Sequence, residues 1–347
     1  MPAFRRCETC DQELAAQLGT GPRRRFCSNR CRQAGYRRRI APPAALGRGL
    51  TPAWSTETAA LYTGDAGMVL QQLPARSVHC VVTSPPYFGL RDYEGQPEQL
   101  GAEPTVQAYV QRLVHVFREV RRVLRSDGTV WLNLGDSYSG RANAGPSVGR
   151  SGRADRAAII PGRVNTIADA PYKSLLGIPA RVALALVEDR WVWRNEIIWD
   201  KPNPQRTTAV DRLMVAHEPV MLFVKGPRYH FDLTPLRIPS RRPRNDPTRG
   251  SHPDGANPGD VWTVSTNRTK VGHMAAYPTE LAYRAIAAGC PTGGVVLDPF
   301  SGSGTTGVAA LQLDRRYIGI DLHEPYNQAA AARLAAHPDK ENPSGPR

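Results

Sequence analysis

The residues Thr83-Ser84-Pro85-Pro86-Tyr87 directly follow the apolar run 78–82. Proline fixes φ and restricts the residue before it, so Ser84, Pro85 and Pro86 hold their oxygen atoms in nearly fixed directions. Fixed acceptors need no reorganisation during a reaction. Hydrogen bonds from the amino group of a nucleobase to Ser84 Oγ and the Pro85 carbonyl would localise the nitrogen lone pair, while Tyr87 stacks on the base. The same residues also fit an ordinary strand that ends in a proline turn.

A second motif, residues 294–306, reads as an apolar strand, a glycine-rich turn and the start of a helix. Glycines at such a turn let the backbone approach a ligand closely, and Asp321, nineteen positions after Gly302, ends the next apolar run. The loop lacks the Gly-Lys-Ser/Thr of a phosphate loop. Asp298 therefore suits the ammonium group of an amino acid, and Asp321 suits a ribose diol. The candidate loop residues are Asp298, Pro299, Phe300, Ser301, Gly302, Ser303, Gly304, Thr305 and Thr306.

Both motifs, in this order, resemble those of the S-adenosylmethionine-dependent DNA amino-methyltransferases of the permuted (beta) class. The resemblance, over residues 58–330, implies that the loop holds the methionine part of the cofactor and that Asp321 holds its ribose. It also implies cofactor-side roles for Tyr277 and Pro278, in the segment 273–281, and for Asp65 near the adenine ring. Asp65 fits a plain turn residue equally well.

Ser84 bears on the target base. Enzymes that this chain resembles commonly methylate N4 of cytosine when they carry Ser-Pro-Pro-Tyr, and N6 of adenine when they carry Asp-Pro-Pro-Tyr. The resemblance thus favours N4 of cytosine in duplex DNA, reached by base flipping, with adenine N6 as the alternative. A C5-cytosine mechanism needs a cysteine nucleophile after a proline, and only the reverse pair Cys290-Pro291 occurs. Cys290 and Cys80 are interpreted as packed thiols.

The charge also suits a polyanionic partner. The chain has 45 basic and 31 acidic residues and a formal net charge of +14. Such an excess is typical of phosphate contacts, although charge alone leaves DNA, RNA and other acidic partners open. Two further functions therefore stay open: a DNA-binding protein with an inactive methyltransferase scaffold, and a methyltransferase acting on RNA or on protein glutamine.

Four of the six cysteines lie near the beginning of the chain, at Cys7, Cys10, Cys27 and Cys31. Four thiolates at this spacing can close tetrahedrally around zinc, and a segment of roughly 40 residues cannot bury a sufficient core unaided. We expect a structural zinc finger over residues 1–40, ending in a basic helix. Two disulfides are the alternative, but no secretory signal or membrane-spanning apolar run is seen, which predicts a cytoplasmic protein without membrane contact.

The predicted organisation is a finger (1–40), a linker (41–57), a catalytic domain (58–330) and a tail (331–347). Within the catalytic domain, residues 139–170 are rich in glycine and arginine and are expected to be a mobile insertion. Residues 201–261 are the expected target-recognition region, by resemblance. A restriction endonuclease partner is possible for such an enzyme.

Periodicity predicts the scaffold. An apolar stripe indicates a helix over 106–124, followed by a strand at 128–134, a helix at 178–187 and strands at 191–199 and 217–224. Alternating units of this kind predict an α/β fold: a Rossmann-like, mostly parallel twisted sheet flanked by helices, of the permuted class I methyltransferase type. Ligands gather at the carboxyl ends of such strands, where both Ser84 and Asp298 fall. The two motifs should therefore share one cleft.

Overall fold

The computed structural model describes residue 12 and residues 49–89, 99–139, 170–207, 209–239, 254–266 and 276–337. The predicted zinc finger and the greater part of the predicted glycine- and arginine-rich insertion lie outside these ranges. Most of the arginine-rich stretch 237–249 lies outside them as well.

The described strands form one nine-stranded sheet in the order β1-β2-β9-β8-β3-β4-β6-β5-β7. The strands are β1 (Trp54–Ser55), β2 (Ala59–Thr63), β3 (Val78–Thr83), β4 (Leu124–Asn133), β5 (Val192–Asp200), β6 (His217–Val224), β7 (Val261–Thr263), β8 (Val295–Asp298) and β9 (Arg316–Asp321). The pairs β2/β9, β9/β8, β8/β3, β3/β4 and β5/β7 are parallel, whereas β1/β2, β4/β6 and β6/β5 are antiparallel. The mostly parallel sheet predicted from the sequence is thereby confirmed.

Helices cover both faces of the sheet. They are α1 (Ala66–Gln72), α2 (Val106–Val123), α3 (Ile178–Glu188), α4 (Thr279–Gly289), α5 (Thr305–Gln312) and α6 (Glu324–Ala335), with a short 3-10 helix at Thr234–Leu236. Side chains of α1, α2 and α3 belong to one buried apolar cluster, and those of α4, α5 and α6 to another. The fold is thus a three-layer α/β/α arrangement, in which the inner strand β3 is buried along its whole length.

Local sequence explains the main helices. Thr105 begins α2 as its N-cap, with its hydroxyl accepting from the Ala108 N–H at 3.1 Å. Pro179 lies in the first turn of α3, where its missing N–H costs no helical hydrogen bond. The predicted boundaries of the catalytic domain, 58 and 330, do not coincide with the ends of the sheet and helices. β1 lies within the predicted linker 41–57, and α6 continues past residue 330.

The pairing of β3 with β8 decides where the site lies. These strands are parallel neighbours, with Cys80 opposite Val296 and Val81 opposite Leu297. Their carboxyl ends therefore emerge side by side, which brings the Ser-Pro-Pro-Tyr segment next to the glycine-rich loop. At the other end of this pair, buried His79 accepts the Val295 N–H through Nδ1 at 2.9 Å.

His79 makes the strand pair sensitive to acid. Burial, assisted by the charge of Arg125, lowers the pKa of His79 from 6.5 to about 3. A depressed histidine pKa gives stability that is fully present above pH 6.5 and is lost as the pH falls toward 3.

We predict that His79→Leu, which leaves the Val295 N–H unpaired, lowers the free energy of unfolding at neutral pH by about 1–3 kcal/mol. Urea unfolding at several pH values should also show a weaker loss of stability in acid for the variant; an unchanged pH dependence would contradict this role.

Candidate active site

A buried carboxylate joins the two motifs. Thr83, the last residue of β3, donates its hydroxyl to Asp298 Oδ1 at 2.7 Å, and the Phe300 N–H donates to the same oxygen at 3.1 Å. Thr306 Oγ1 donates to Asp298 Oδ2 at 2.5 Å. Asp298 is only 2% exposed, and this burial raises its pKa to about 6 although the three donors act in the opposite direction.

The segment before α4 reaches the same carboxylate. The Tyr277 hydroxyl lies 3.4 Å from Asp298 Oδ2 and hydrogen-bonds to Thr306. Burial, followed by the charge of Asp298, raises the pKa of Tyr277 well above its usual range, so its hydroxyl stays protonated. Pro278, the next residue, is the N-cap residue of α4. Three distant stretches that the sequence marked as cofactor-side or catalytic thus meet at Asp298.

The glycine-rich loop leaves room beside its backbone. Gly302 and Gly304 have positive φ values of +51° and +77°, which only glycine adopts without strain. A Cβ atom on Gly302 would meet no atom within 4 Å, whereas one on Gly304 would lie 2.9 Å from Ala330 Cβ. The Gly302 N–H donates to Asp321 Oδ2 at 2.8 Å, so this carboxylate lies beside the open part of the loop. An open loop edged by a carboxylate fits the nucleoside part of S-adenosylmethionine.

The hydroxyl groups of the loop hydrogen-bond within the protein. Ser301 Oγ lies 2.8 Å from the Tyr317 hydroxyl, and Ser303 Oγ accepts from Arg333 at 2.9 Å. Thr305 Oγ1 also accepts from Arg333, at 3.2 Å. These side chains are buried and fix the shape of the loop, so the loop backbone is the part that can face a ligand.

Asp65 lies at the same edge, just beyond β2. Its Oδ1 accepts the Met68 N–H at 3.0 Å and so begins α1 as an N-cap. Its neighbour Gly64 donates to the Asp321 carbonyl at 2.9 Å. Asp65 therefore has a structural role as a helix cap, while its contact with adenine stays a prediction.

The Ser-Pro-Pro-Tyr segment is held by hydrogen bonds on two sides. Ser84 Oγ donates to the Tyr87 hydroxyl at 3.3 Å, and the Pro86 carbonyl accepts from the Tyr109 hydroxyl at 2.8 Å. The ring of Tyr87 packs on the backbone of Gly135, where a Cβ atom would overlap Tyr87 Cε2. The rigid segment inferred from the two prolines is therefore also locked by neighbouring strands and helices.

The partners of the Tyr87 hydroxyl were not predicted from the sequence. This hydroxyl donates to Glu218 Oε2 at 2.8 Å and lies 3.1 Å from Asn133 Oδ1, while Lys201 forms an ion pair with Glu218. The feature of the sequence that could have pointed to them is a polar residue at the end of an apolar run. Glu218 precedes the run 219–224, and Asn133 follows the run 130–132.

The remaining predictions concern cysteines, metals and membranes. Cys80 and Cys290 are fully buried, and burial raises the pKa of Cys80 to about 12 and that of Cys290 well above its usual range, as expected of packed thiols. The part of the chain that the structure describes contains no group of three or more His, Cys, Asp or Glu arranged for a metal ion. The predicted zinc ligands Cys7, Cys10, Cys27 and Cys31 lie outside it. Among the described helices, none is long and apolar enough to cross a membrane.

The sequence of this chain is similar to a known family and to several known proteins. A model of the DNA methylase family N6_N4_Mtase matches residues 78–332. The type II methyltransferase M.SmaI of Serratia marcescens is 41% identical over 276 residues, 79% of this chain and 90% of that protein. M.XycI of Xanthomonas campestris pv. cyanopsidis is 40% identical over 298 residues, 85% of this chain and 94% of the relative.

Two solved structures share the fold. The PvuII DNA methyltransferase (cytosine-N4-specific) superimposes with a TM-score of 0.60 and 19% identity, covering 85% of this chain and 92% of that one. A putative DNA modification methylase from Thermus thermophilus, complexed with S-adenosyl-L-methionine, gives a TM-score of 0.53 and 28% identity, covering 81% of this chain and 95% of that one.

The Thr83–Asp298 hydrogen bond can be tested by an isosteric change. We predict that Thr83→Val lowers the free energy of unfolding by about 1.5–3 kcal/mol, because a buried charge-assisted hydrogen bond is lost. The matched control Thr83→Ser keeps the hydroxyl and should stay close to the wild type. Equal stability of the valine and serine variants in urea unfolding would show that the bond contributes nothing.

Proposed function

Since this chain belongs to the N6/N4 DNA methylase family, we propose that this S-adenosylmethionine-dependent DNA methyltransferase methylates N4 of a cytosine in duplex DNA. The observation that carries the proposal is the hydrogen bond from Thr83 to Asp298. This bond closes the carboxyl ends of the paired strands β3 and β8, so a base held beyond Thr83 and a cofactor held beyond Asp298 would meet at one edge of the sheet. Proximity and orientation then supply most of the acceleration.

The cofactor would lie along the carboxyl ends of β8, β9 and β2. S-adenosylmethionine supplies an electrophilic methyl group on its sulfonium when it is bound. The open side of Gly302 admits the ligand, and Asp321 can accept from ribose hydroxyls because a carboxylate offers about four acceptor positions. The ammonium group of the methionine part suits Asp298, whose carboxylate gains from a neighbouring cation. The other proposed cofactor-side residues are Asp65, Tyr277, Pro278, Pro299, Phe300, Ser301, Ser303, Gly304, Thr305 and Thr306.

The target base would enter beside Ser84, Pro85, Pro86 and Tyr87. Ser84 Oγ donates a hydrogen bond to the Tyr87 hydroxyl. The lone pairs of Ser84 Oγ therefore remain able to accept an incoming amino N–H. Together with a carbonyl of the proline segment, it would orient the amino nitrogen toward the methyl group. The amino nitrogen would displace S-adenosylhomocysteine directly, with the N–C bond forming as the S–C bond to the methyl group breaks, and the methylated amine would release its proton to water. The hydroxyl at position 84 favours cytosine, and adenine N6 is the alternative outcome of the same assay.

The partner proposed here is double-stranded DNA, in a restriction-modification setting like that of the type II relatives. The net charge of +14 supports phosphate binding. Target recognition would fall to the region 201–261, which carries several arginines beyond β6. An associated restriction endonuclease and a zinc finger at residues 1–40 also belong to this proposal, the finger adding DNA affinity through its basic residues.

Methyl transfer tests the proposed reaction. Duplex DNA rich in candidate sites is incubated with the protein and S-adenosylmethionine labelled in the methyl group, and the nucleosides are then separated after digestion. We expect label in N4-methylcytosine, absent when S-adenosylhomocysteine competes. Label in N6-methyladenine would replace the proposed base, and label in RNA or protein but not in DNA would overturn the proposed substrate.

Metal analysis tests the finger. We predict about one zinc per chain for the wild type, lost in Cys27→Ser because a four-thiolate site does not close with three thiolates. Cys290→Ser is the matched control, since Cys290 lies fully buried at the end of α4, and it should retain zinc. Absence of zinc from wild-type protein purified without chelators would contradict the finger.

A further inference from the structure

Behind the Ser-Pro-Pro-Tyr segment lies a polar group that we call the anchor cluster, formed by Asn133, Lys201 and Glu218. Asn133 ends β4, Lys201 directly follows β5, and Glu218 lies near the beginning of β6. Because β6 is antiparallel to both β4 and β5, these three positions share the edge of the sheet at which β3 ends. Three strands thus bring polar side chains to the catalytic motif from behind.

The anchor cluster holds Glu218 firmly. The side chains of Lys201 and Glu218 are 14% and 17% exposed and form an ion pair, and Lys201 Nζ also lies 4.3 Å from the centre of the Trp199 ring. Asn133 Nδ2 donates to Glu218 Oε2 at 3.1 Å and to the Pro219 carbonyl at 3.2 Å. A carboxylate with a cation on one oxygen and an amide on the other has a fixed position and orientation.

Counting protons gives the direction of the network. The Tyr87 hydroxyl carries one proton, and its nearest acceptor is Glu218 Oε2 at 2.8 Å. Burial, followed by the charge of Glu218, raises the pKa of Tyr87 well above its usual range, so the proton stays on the phenol. Because its own proton is directed to Glu218, the Tyr87 oxygen can accept a hydrogen bond from the Ser84 hydroxyl. The two oxygen atoms are 3.3 Å apart.

We propose that Glu218, held by Lys201 and Asn133, is a positioning residue that orients the Tyr87 hydroxyl and, through it, the acceptor face of Ser84. The hydrogen bonds run in one direction, from Ser84 to Tyr87 to Glu218. This direction leaves the Ser84 lone pairs for the amino group of the target base. The negative charge at the Glu218 end of this series of hydrogen bonds also strengthens each acceptor in it. This favours the positive charge that develops on the amino nitrogen of the base.

The placement of Glu218 favours this role over simple strand packing. The later residues of the same strand, from Val220 to Val224, are all buried and apolar, and a carboxylate beside them carries a desolvation cost that an apolar side chain would avoid. The Tyr87 ring is also fixed from the side by Gly135, whose missing Cβ leaves space for it. The carboxylate is therefore aimed at one hydroxyl whose ring cannot move away.

A double-mutant cycle tests the proposal, which rests on the proposed methyltransferase function. Glu218→Gln keeps the shape and removes the charge, so kcat for DNA methylation should fall about 10- to 100-fold while the KM for S-adenosylmethionine is unchanged. In a Tyr87→Phe background, Glu218→Gln should cause no further loss, because the hydroxyl through which it acts is gone. The control Glu196→Gln makes the same chemical change at an exposed position of β5 and should leave kcat unaltered.

A spectroscopic measurement reports on the contact independently of turnover. The protein is labelled with tyrosine carrying ¹³C at Cζ, and the Tyr87 signal is identified by its absence from Tyr87→Phe. Glu218→Gln should shift this signal, and Glu196→Gln should not. If Glu218→Gln leaves the signal in place, the contact is wrong whether or not the enzyme is active.

The outcomes separate this proposal from the proposed function. If the wild type methylates DNA and Glu218→Gln does so equally fast, or loses the same factor with and without the Tyr87 hydroxyl, Glu218 has no positioning role and the methyltransferase function stands. If the wild type transfers no methyl group to DNA, the proposed function fails, and the Tyr87 signal still decides whether Glu218 orients the hydroxyl.

Discussion

The site depends on one constraint, the parallel pairing of β3 with β8, which the Thr83–Asp298 hydrogen bond closes at its carboxyl end. Two segments 215 positions apart in the chain are thereby fixed to each other by a buried bond of 2.7 Å. A methyl transfer needs its two reacting atoms at near contact. Adjacent strand ends would supply that proximity for the proposed base and cofactor positions.

The two halves of the site are stabilised in different ways. The proposed cofactor side is a glycine loop whose hydroxyls bind within the protein, as in the contact of Ser301 with Tyr317, so that its open side is backbone. The proposed base side contains a polar network that runs from Ser84 through Tyr87 to Glu218. A change in the loop should therefore act on cofactor affinity, whereas a change in the network should act on turnover.

Local patterns predicted much of this arrangement. The helix over 106–124, the strand that leads into Ser84 and the strand–loop–helix around Gly302 follow from periodicity and from proline and glycine positions, and each lies where it was expected. The short strands β1 and β7 were missed, since two or three residues carry no detectable alternation. Glu218 was missed for another reason: its partner Tyr87 lies 131 positions away, and no local pattern encodes a contact set by sheet order.

The most direct test of the shared cleft is a crystal structure of the protein with S-adenosylhomocysteine and a duplex that contains the target. We predict a flipped base beside Ser84, with its amino nitrogen roughly 5 Å from the cofactor sulfur, a separation that one methyl group spans. A cofactor bound away from the Gly302 loop, or a base and a cofactor entering from opposite faces of the sheet, would contradict it.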